Sequence, residues 1–195
     1  MTKKEEIIEA TLTLASIHGL KSLSMSQIAE SVGIKKPSLY NHFDSKESLI
    51  KEMYKYIREK SKENLSLSQV DYNDYMKDKS AYQILSGYVS NYKKMVSNEK
   101  MFKFYKVIYS ERTTNSDAAE IIVEETNKMI EATKMLFNYL KMSKKIDIDD
   151  VEVCSISFAM TIHSLIDYEL DQKMTGQKSD KDLIDNYIKW FCKEK

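Results

Sequence analysis

Residues Ser24 to Lys46 read SMSQIAESVGIKKPSLYNHFDSK, and their spacing decides the fold. Ser24 with Gln27 three positions on has the spacing of a capping box. In that motif a hydroxyl accepts from an orphan backbone N–H and the amide side chain reaches back to the cap. Steps of about 100° per residue put Met25, Ile28, Ala29 and Val32 on one arc, and Ser26, Gln27, Glu30 and Ser31 on the other. This predicts a short amphipathic helix stopped at Gly33, where positive φ costs little. The only proline, Pro37, predicts the start of a second helix. It has no N–H to lose in a first turn and biases Lys36 away from helical angles. Counting from Pro37, Leu39 and Phe43, with Tyr40 at the margin, fall on an inward arc. Ser38, Asn41 and His42 share the outward arc with Pro37. Lys35 and Lys36 stand at the N-terminal end of this helix. Asp44 with Glu47 repeats the capping spacing, so a further helix is expected near Lys46.

These residues carry a resemblance. The run from Gly19 to Ile50 resembles the helix-turn-helix of the tetracycline-repressor (TetR) family of transcription regulators. The matching features are the hydroxyl cap Ser24, Ile28-Ala29, the turn Gly33-Ile34, Leu39-Tyr40-Asn41-His42-Phe43, and Ser45-Lys46-Glu47-Ser48-Leu49. With the first helix, IIEATLTLASIHG, the match covers roughly the first quarter of the chain. Two positions depart from the family pattern: Ala15 replaces a usual phenylalanine, and Lys35 a frequent capping serine. The resemblance implies an all-α fold of about nine helices. A helix-turn-helix DNA-binding domain would occupy 1–47, and a helical ligand-binding and dimerisation domain 48–195.

Composition narrows the alternatives. The chain has 195 residues, enough for one or two compact domains, and a formal net charge of zero. Residues 1–60 carry ten Lys/Arg against eight Asp/Glu, a net of +2, and the remainder twenty against twenty-two. A nonspecific polycation is thereby disfavoured, while a local field suited to DNA is not. Cys154 and Cys192 are far apart in sequence, and no signal-peptide pattern is seen, which fits a reducing cytoplasm. No apolar run is long enough to span a membrane. Four glycines and one proline predict few turns and long helices.

Helical periodicity extends over the rest. Thr2 to His18 reads as a helix with Ile8, Leu12 and Ala15 inward. Lys46 to about Leu67 carries Leu49, Ile50, Met53, Tyr54 and Ile57 at helical spacing, and Ser66 to Asp78 reads as a loop. Further helices are expected over Lys79 to Ser97, Glu99 to Tyr109, and from a cap at Ser116 to about Met142. From Asp149 or Asp150, VEVCSISFAMTIHSLIDYEL is apolar on nearly every side, and so is buried in a core or against another chain. Met174 to Ser179 reads as a loop and Asp180 to Cys192 as the last helix.

The functional expectations follow. Ser26, Lys36, Tyr40 and Lys46 are assigned to phosphates and positioning; Pro37, Ser38, Asn41 and His42 are the candidates for base edges. The partner is double-stranded DNA with a palindromic operator, read by a homodimer. The resemblance places the dimer interface on the last two helices, with Phe158, Ile162, Ile166, Ile184, Ile188 and Phe191 as its candidates. It also implies a small apolar or aromatic ligand within the body that releases the repressor. Met101, Tyr105, Tyr109, Met129, Phe137 and His163 are the candidates for that pocket. No cofactor or metal is expected.

Two other readings compete. An enzyme would rest on Cys154 and His163, which sit nine residues and about 180° apart on one helix and cannot meet within a chain. No phosphate loop, zinc spacing or nucleophile elbow accompanies them. An adaptor of the same fold acting through protein partners is the other rival. The intact arc of Ser38, Asn41 and His42 with Lys36 and Lys46 argues against it.

Overall fold

The computed structural model describes residues 1–65, 76–178 and 182–193. Among them the regular structure is all α-helix: α1 (Lys3–His18), α2 (Met25–Ser31), α3 (Lys36–Tyr40), α4 (Lys46–Leu65), α5 (Ala81–Val96), α6 (Glu99–Glu111), α7 (Ser116–Met142), α8 (Val151–Met174) and α9 (Leu183–Phe191). Of the expected Ser66 to Asp78 loop, residues 66–75 lie outside the described residues, as do Ser179 and the expected helix start at Asp180.

Short polar side chains set the helix starts. Thr2 and Glu5 form a reciprocal capping box on α1, and Ser80 with Gln83 does the same on α5. Asp150, of the two candidates, caps α8 by accepting from the Val153 N–H at 3.1 Å. Two expected caps are corrected. Asn115, not Ser116, caps α7, its side-chain oxygen accepting from the N–H groups of Asp117 and Ala118. Ser45, not Asp44, caps α4, accepting from the Ser48 N–H at 3.0 Å. In both cases the cap sits one residue from the expected one. Sequence spacing admits either neighbour, and the backbone picks the one that stays outside the helix.

Packing groups the chain into two compact units, Met1–Ser68 with Ser97–Glu124, and Gln69–Val96 with Glu125–Lys195. A division is expected at residue 47; by packing, α4, α6 and the first turns of α7 group with α1 to α3. In the first unit α1 packs on α2, α4 and α6. Ile7, Ile28, Leu39, Leu49, Met53 and Ile108 are among its fully buried side chains. Glu9 ties the elements together, accepting from the Tyr56 hydroxyl at 2.9 Å and from Lys100 at 2.7 Å. Arg58 pairs with Glu124 at 2.5 Å and Glu120 at 3.6 Å.

The second unit is built round a ring cluster. Phe158 lies 5.3 Å from Phe137, 5.0 Å from Phe191 and 5.6 Å from Tyr187, centroid to centroid. Leu85, Leu140 and Ile188 fill the space around it. Lys93 is paired with the buried Glu169, and the Tyr82 hydroxyl donates to Asp185 at 2.5 Å.

Candidate nucleic-acid interface

The reading surface starts from a fixed base. Ser24 Oγ accepts from the Gln27 N–H at 3.3 Å, and the Ser24 N–H donates to Gln27 Oε1 at 2.8 Å, so the expected capping box starts α2. Met25, Ile28 and Ala29 are buried beneath, while Ser26, Gln27, Glu30 and Ser31 face water. Gly33 takes φ 66°, and the Ile34 N–H reaches back to the Ala29 carbonyl at 3.0 Å. The chain thereby reverses over three residues and half-buries Ile34 against the core.

Helix α3 is shorter and starts earlier than expected. The extended residue before it is Lys35 (φ −76°, ψ 147°), and Lys36, not Pro37, is its first helical residue. The bias that proline imposes on its predecessor is a preference, and here the turn from Gly33 outweighs it. Lys35 makes no side-chain cap, as its replacement of a serine predicts. The helix ends at Tyr40, yet the coil continues: Asn41 keeps right-handed angles, and the His42 and Phe43 N–H groups both donate to the Leu39 carbonyl. The outward arc therefore persists past the helix end. Leu39 and Phe43 are buried as anchors. Lys35, Lys36, Pro37, Tyr40, Asn41 and His42 are exposed, Tyr40 by 43%, and Ser38 is half-buried.

Lys46 is placed differently. It is half-buried and its ammonium donates to the Lys21 carbonyl at 3.1 Å, closing the connection between α1 and α2. That bond ties α4 to the connection, and Lys35 and Lys36 are the exposed cations at the start of α3. Glu47 follows in the first turn of α4. Its own backbone N–H, then the Ser45 hydroxyl, hold its carboxyl below the usual carboxylate range.

Residues 7–53 match the family model of bacterial regulatory proteins, tetR family. That match lies within the head of the chain. Its head is 46% identical over 52 residues to the biofilm operon icaADBC negative transcriptional regulator IcaR of Staphylococcus aureus, strain Newman, covering 27% of this chain and 28% of that protein. It is 39% identical over 51 residues to the transcriptional repressor KstR2 of Rhodococcus jostii, covering 26% and 25%. The chain thus matches about a quarter of the length of these curated relatives. Over nearly its whole length it shares a fold with the solved TetR-family regulator of Cytophaga hutchinsonii: TM-score 0.67, 15% identity, 97% of this chain and 92% of that one.

The structure distributes the residues expected to form sites in the body as follows. Of the ligand candidates, Met101, Tyr105 and Tyr109 belong to the first unit's core and Met129, Phe137 and His163 to the second unit, so neither unit alone assembles the set. Phe137 is fully buried between Phe158 and Phe191, a core ring and not a pocket wall. Met129 does border a cavity, with Tyr88, Tyr92, Thr133, Phe158 and Ile162, but its volume is only about 10 Å³. That is room for about one water, against several hundred Å³ for a drug-sized ligand. His163 is half-buried, its Nδ1 3.0 Å from the Tyr92 hydroxyl and its Nε2 3.6 Å from Asp167.

The dimer candidates need the larger correction. Phe158, Ile162, Ile184 and Ile188 are buried in the core of their own subunit, and Ile166 and Phe191 are half-buried against it. An all-round apolar helix leaves the inward side open when read from sequence alone, and the ring cluster decides it. The apolar side chains that α8 leaves in water include Val153 (61% exposed), Ile156 and Met160 (42%), with Ser157 beside them, and Tyr168, Leu170 and Met174 further along. On α9 the exposed one is Trp190. Among the described residues no group of His, Cys, Asp and Glu could hold a metal, and no helix is long and apolar enough to cross a membrane.

Proposed function

We propose that this chain is a sequence-specific transcriptional repressor of the TetR family that binds a palindromic operator as a homodimer. The observation that carries this is the division of the α3 turn. Leu39 and Phe43 fix it from below, while Pro37, Tyr40, Asn41 and His42 stand free above, flanked by Lys35 and Lys36. Asn41 suits a bidentate contact to adenine, His42 and Ser38 single contacts to base edges, and Pro37 a thymine methyl. Lys35, Lys36, Tyr40 and Ser26 serve phosphates, which set register and make binding salt-dependent. One head makes few contacts, so a second copy supplies affinity, through the α8 face of Val153, Ile156 and Met160 and through Trp190.

Release by a small apolar or aromatic ligand completes the proposal. The cavity beside Met129 is the place for it, once the aromatic side chains part. The pairs Tyr88–Thr133 and Tyr92–His163 offer hydroxyl and imidazole contacts at its edge. Such a ligand shifts the equilibrium between DNA-competent and released dimers only by the difference in its affinity for the two.

Selection of bound duplexes from a random pool tests the reading. A palindromic consensus that binds less tightly as salt rises is expected. Recovery of no consensus, with binding indifferent to salt, would favour a protein-binding adaptor. The selected duplex then serves to screen small molecules for release.

A further inference from the structure

Gly19, Gly33 and Gly176 take positive φ, as glycine readily does; among the described residues two lysines do so as well, Lys144 at 54° and Lys193 at 56°. A side chain is disfavoured there, and glycine is the usual residue where a helix ends in this conformation. Both lysines end helices. The Lys144 N–H donates to the Lys141 carbonyl at 3.0 Å and the Lys145 N–H to the Leu140 carbonyl at 2.9 Å, closing α7. The Lys193 N–H donates to the Trp190 carbonyl at 3.1 Å just past α9. Both line one groove of about 460 Å³ in the second unit, within the size range of small-molecule sites.

The groove is cationic on its rim and apolar on its floor. Among the described residues that line it are Lys141, Lys144, Lys145 and Lys193 and one acid, Asp147, a formal net of +3 from those four lysines and one aspartate. Lysines near helix C-termini commonly serve the free carbonyls there. Two of the four serve carbonyls of neighbouring segments instead: Lys141 donates to the Asp149 carbonyl at 3.0 Å, and Lys145 to the carbonyls of Lys79 at 2.7 Å and Lys77 at 3.2 Å. Carbonyls satisfy hydrogen bonds without cancelling charge. Lys193 has only a loose contact with Asp147, 3.6 Å between two exposed side chains, and such pairs hold weakly. Asp150, next along, is committed to capping α8. Ile146, Ile148 and Cys192 form the floor and pack on the core beneath.

We infer that this groove, where α7 and α9 end, binds a small phosphate monoester with an apolar body. Lys144 and Lys193 hold the phosphate, and Ile146 and Ile148 receive the apolar part. The multiple charge of a phosphate suits several separate ammonium groups, which act on it as point charges. The site is independent of the DNA-reading assignment.

Calorimetric titration of the full chain with phenyl phosphate, inorganic phosphate and phenol tests this. Phenyl phosphate is expected to bind several-fold more tightly than either fragment. The double variant Lys144→Gln/Lys193→Gln is expected to bind it about tenfold or more weakly while keeping its helical circular dichroism. Lys144→Gly supplies a readout of opposite sign. Relief of the left-handed backbone should raise the thermal midpoint by about 2–4 °C while binding weakens. No phenyl phosphate binding, equal binding by inorganic phosphate, or unchanged affinity in Lys144→Gly would each overturn the assignment.

Discussion

In and just after α3 the side chains left in water are Lys36, Pro37, Tyr40, Asn41 and His42; in α8 they include Val153, Ile156 and Met160. Both regions rest on a buried aromatic anchor, Phe43 in one and Phe158 in the other. What they offer outward differs in chemistry. The α3 surface is polar and hydrogen-bonding, suited to a wet, charged partner such as a duplex. The α8 surface is apolar and interrupted by serines, suited to another protein surface.

Two substitutions two residues apart in α8 test that division most strongly. Phe158→Ala should destabilise the subunit by about 3–5 kcal/mol, seen in denaturant unfolding, because it opens a cavity in the ring cluster. Met160→Asp should leave subunit folding within about 0.5 kcal/mol. It should give monomers in sedimentation and cut operator affinity by roughly a hundredfold or more, as the second head's contribution is lost. Similar behaviour of the two variants would erase the distinction between the faces of α8.

On the α3 side, Asn41→Ala should cost about 1–3 kcal/mol of operator binding and relax preference at one base pair, with dimer and stability unchanged. Lys46→Ala should weaken binding across all sequences and also loosen the α1–α2 connection, whose Lys21 carbonyl it holds. An effect of Lys46→Ala confined to one base pair would put it among the readers.

The head's base carries a pH signature. Tyr54 is buried and its hydroxyl has no hydrogen-bond partner among the described residues; burial first, then the charges of Glu111 and Asp117, push its pKa up to about 12 from an ordinary 10. The folded state thus keeps a proton that the unfolded chain gives up near pH 10. Stability from this group is complete below pH 10 and falls as pH rises toward 12, by up to about 2 kcal/mol. Tyr54→Phe should remove that part of the alkaline loss and cost little at pH 7, since it deletes an unpaired polar atom. An unchanged alkaline unfolding profile would contradict the burial argument. Smallest of all, Ser24→Ala should cost about 1 kcal/mol by removing one half of the α2 capping box.

The head was legible because its signals are local. A capping box, a glycine turn and a proline three residues beyond Ile34 leave little freedom, and Ser24, Gly33 and Leu39 behave as their spacing predicts. The errors there are shifts of one residue, at Lys36, Ser45 and Asn115. The body's elements were legible and its faces were not. On α8 the apolar residues run all the way round, so periodicity gives no preferred side. Which side turns inward depends on the rings of Phe137 and Phe191, which lie far off in sequence. The ligand candidates were hard to choose for the same reason: aromatic content marks core and pocket alike.

The most direct test of the account is the affinity of the wild-type chain for a selected palindromic duplex and for the same duplex with one half-site scrambled, each measured over a range of salt. Scrambling should weaken binding by about a hundredfold or more, and log affinity for the intact site should fall linearly with log salt. Equal affinity for the two duplexes, or binding indifferent to salt, would contradict it.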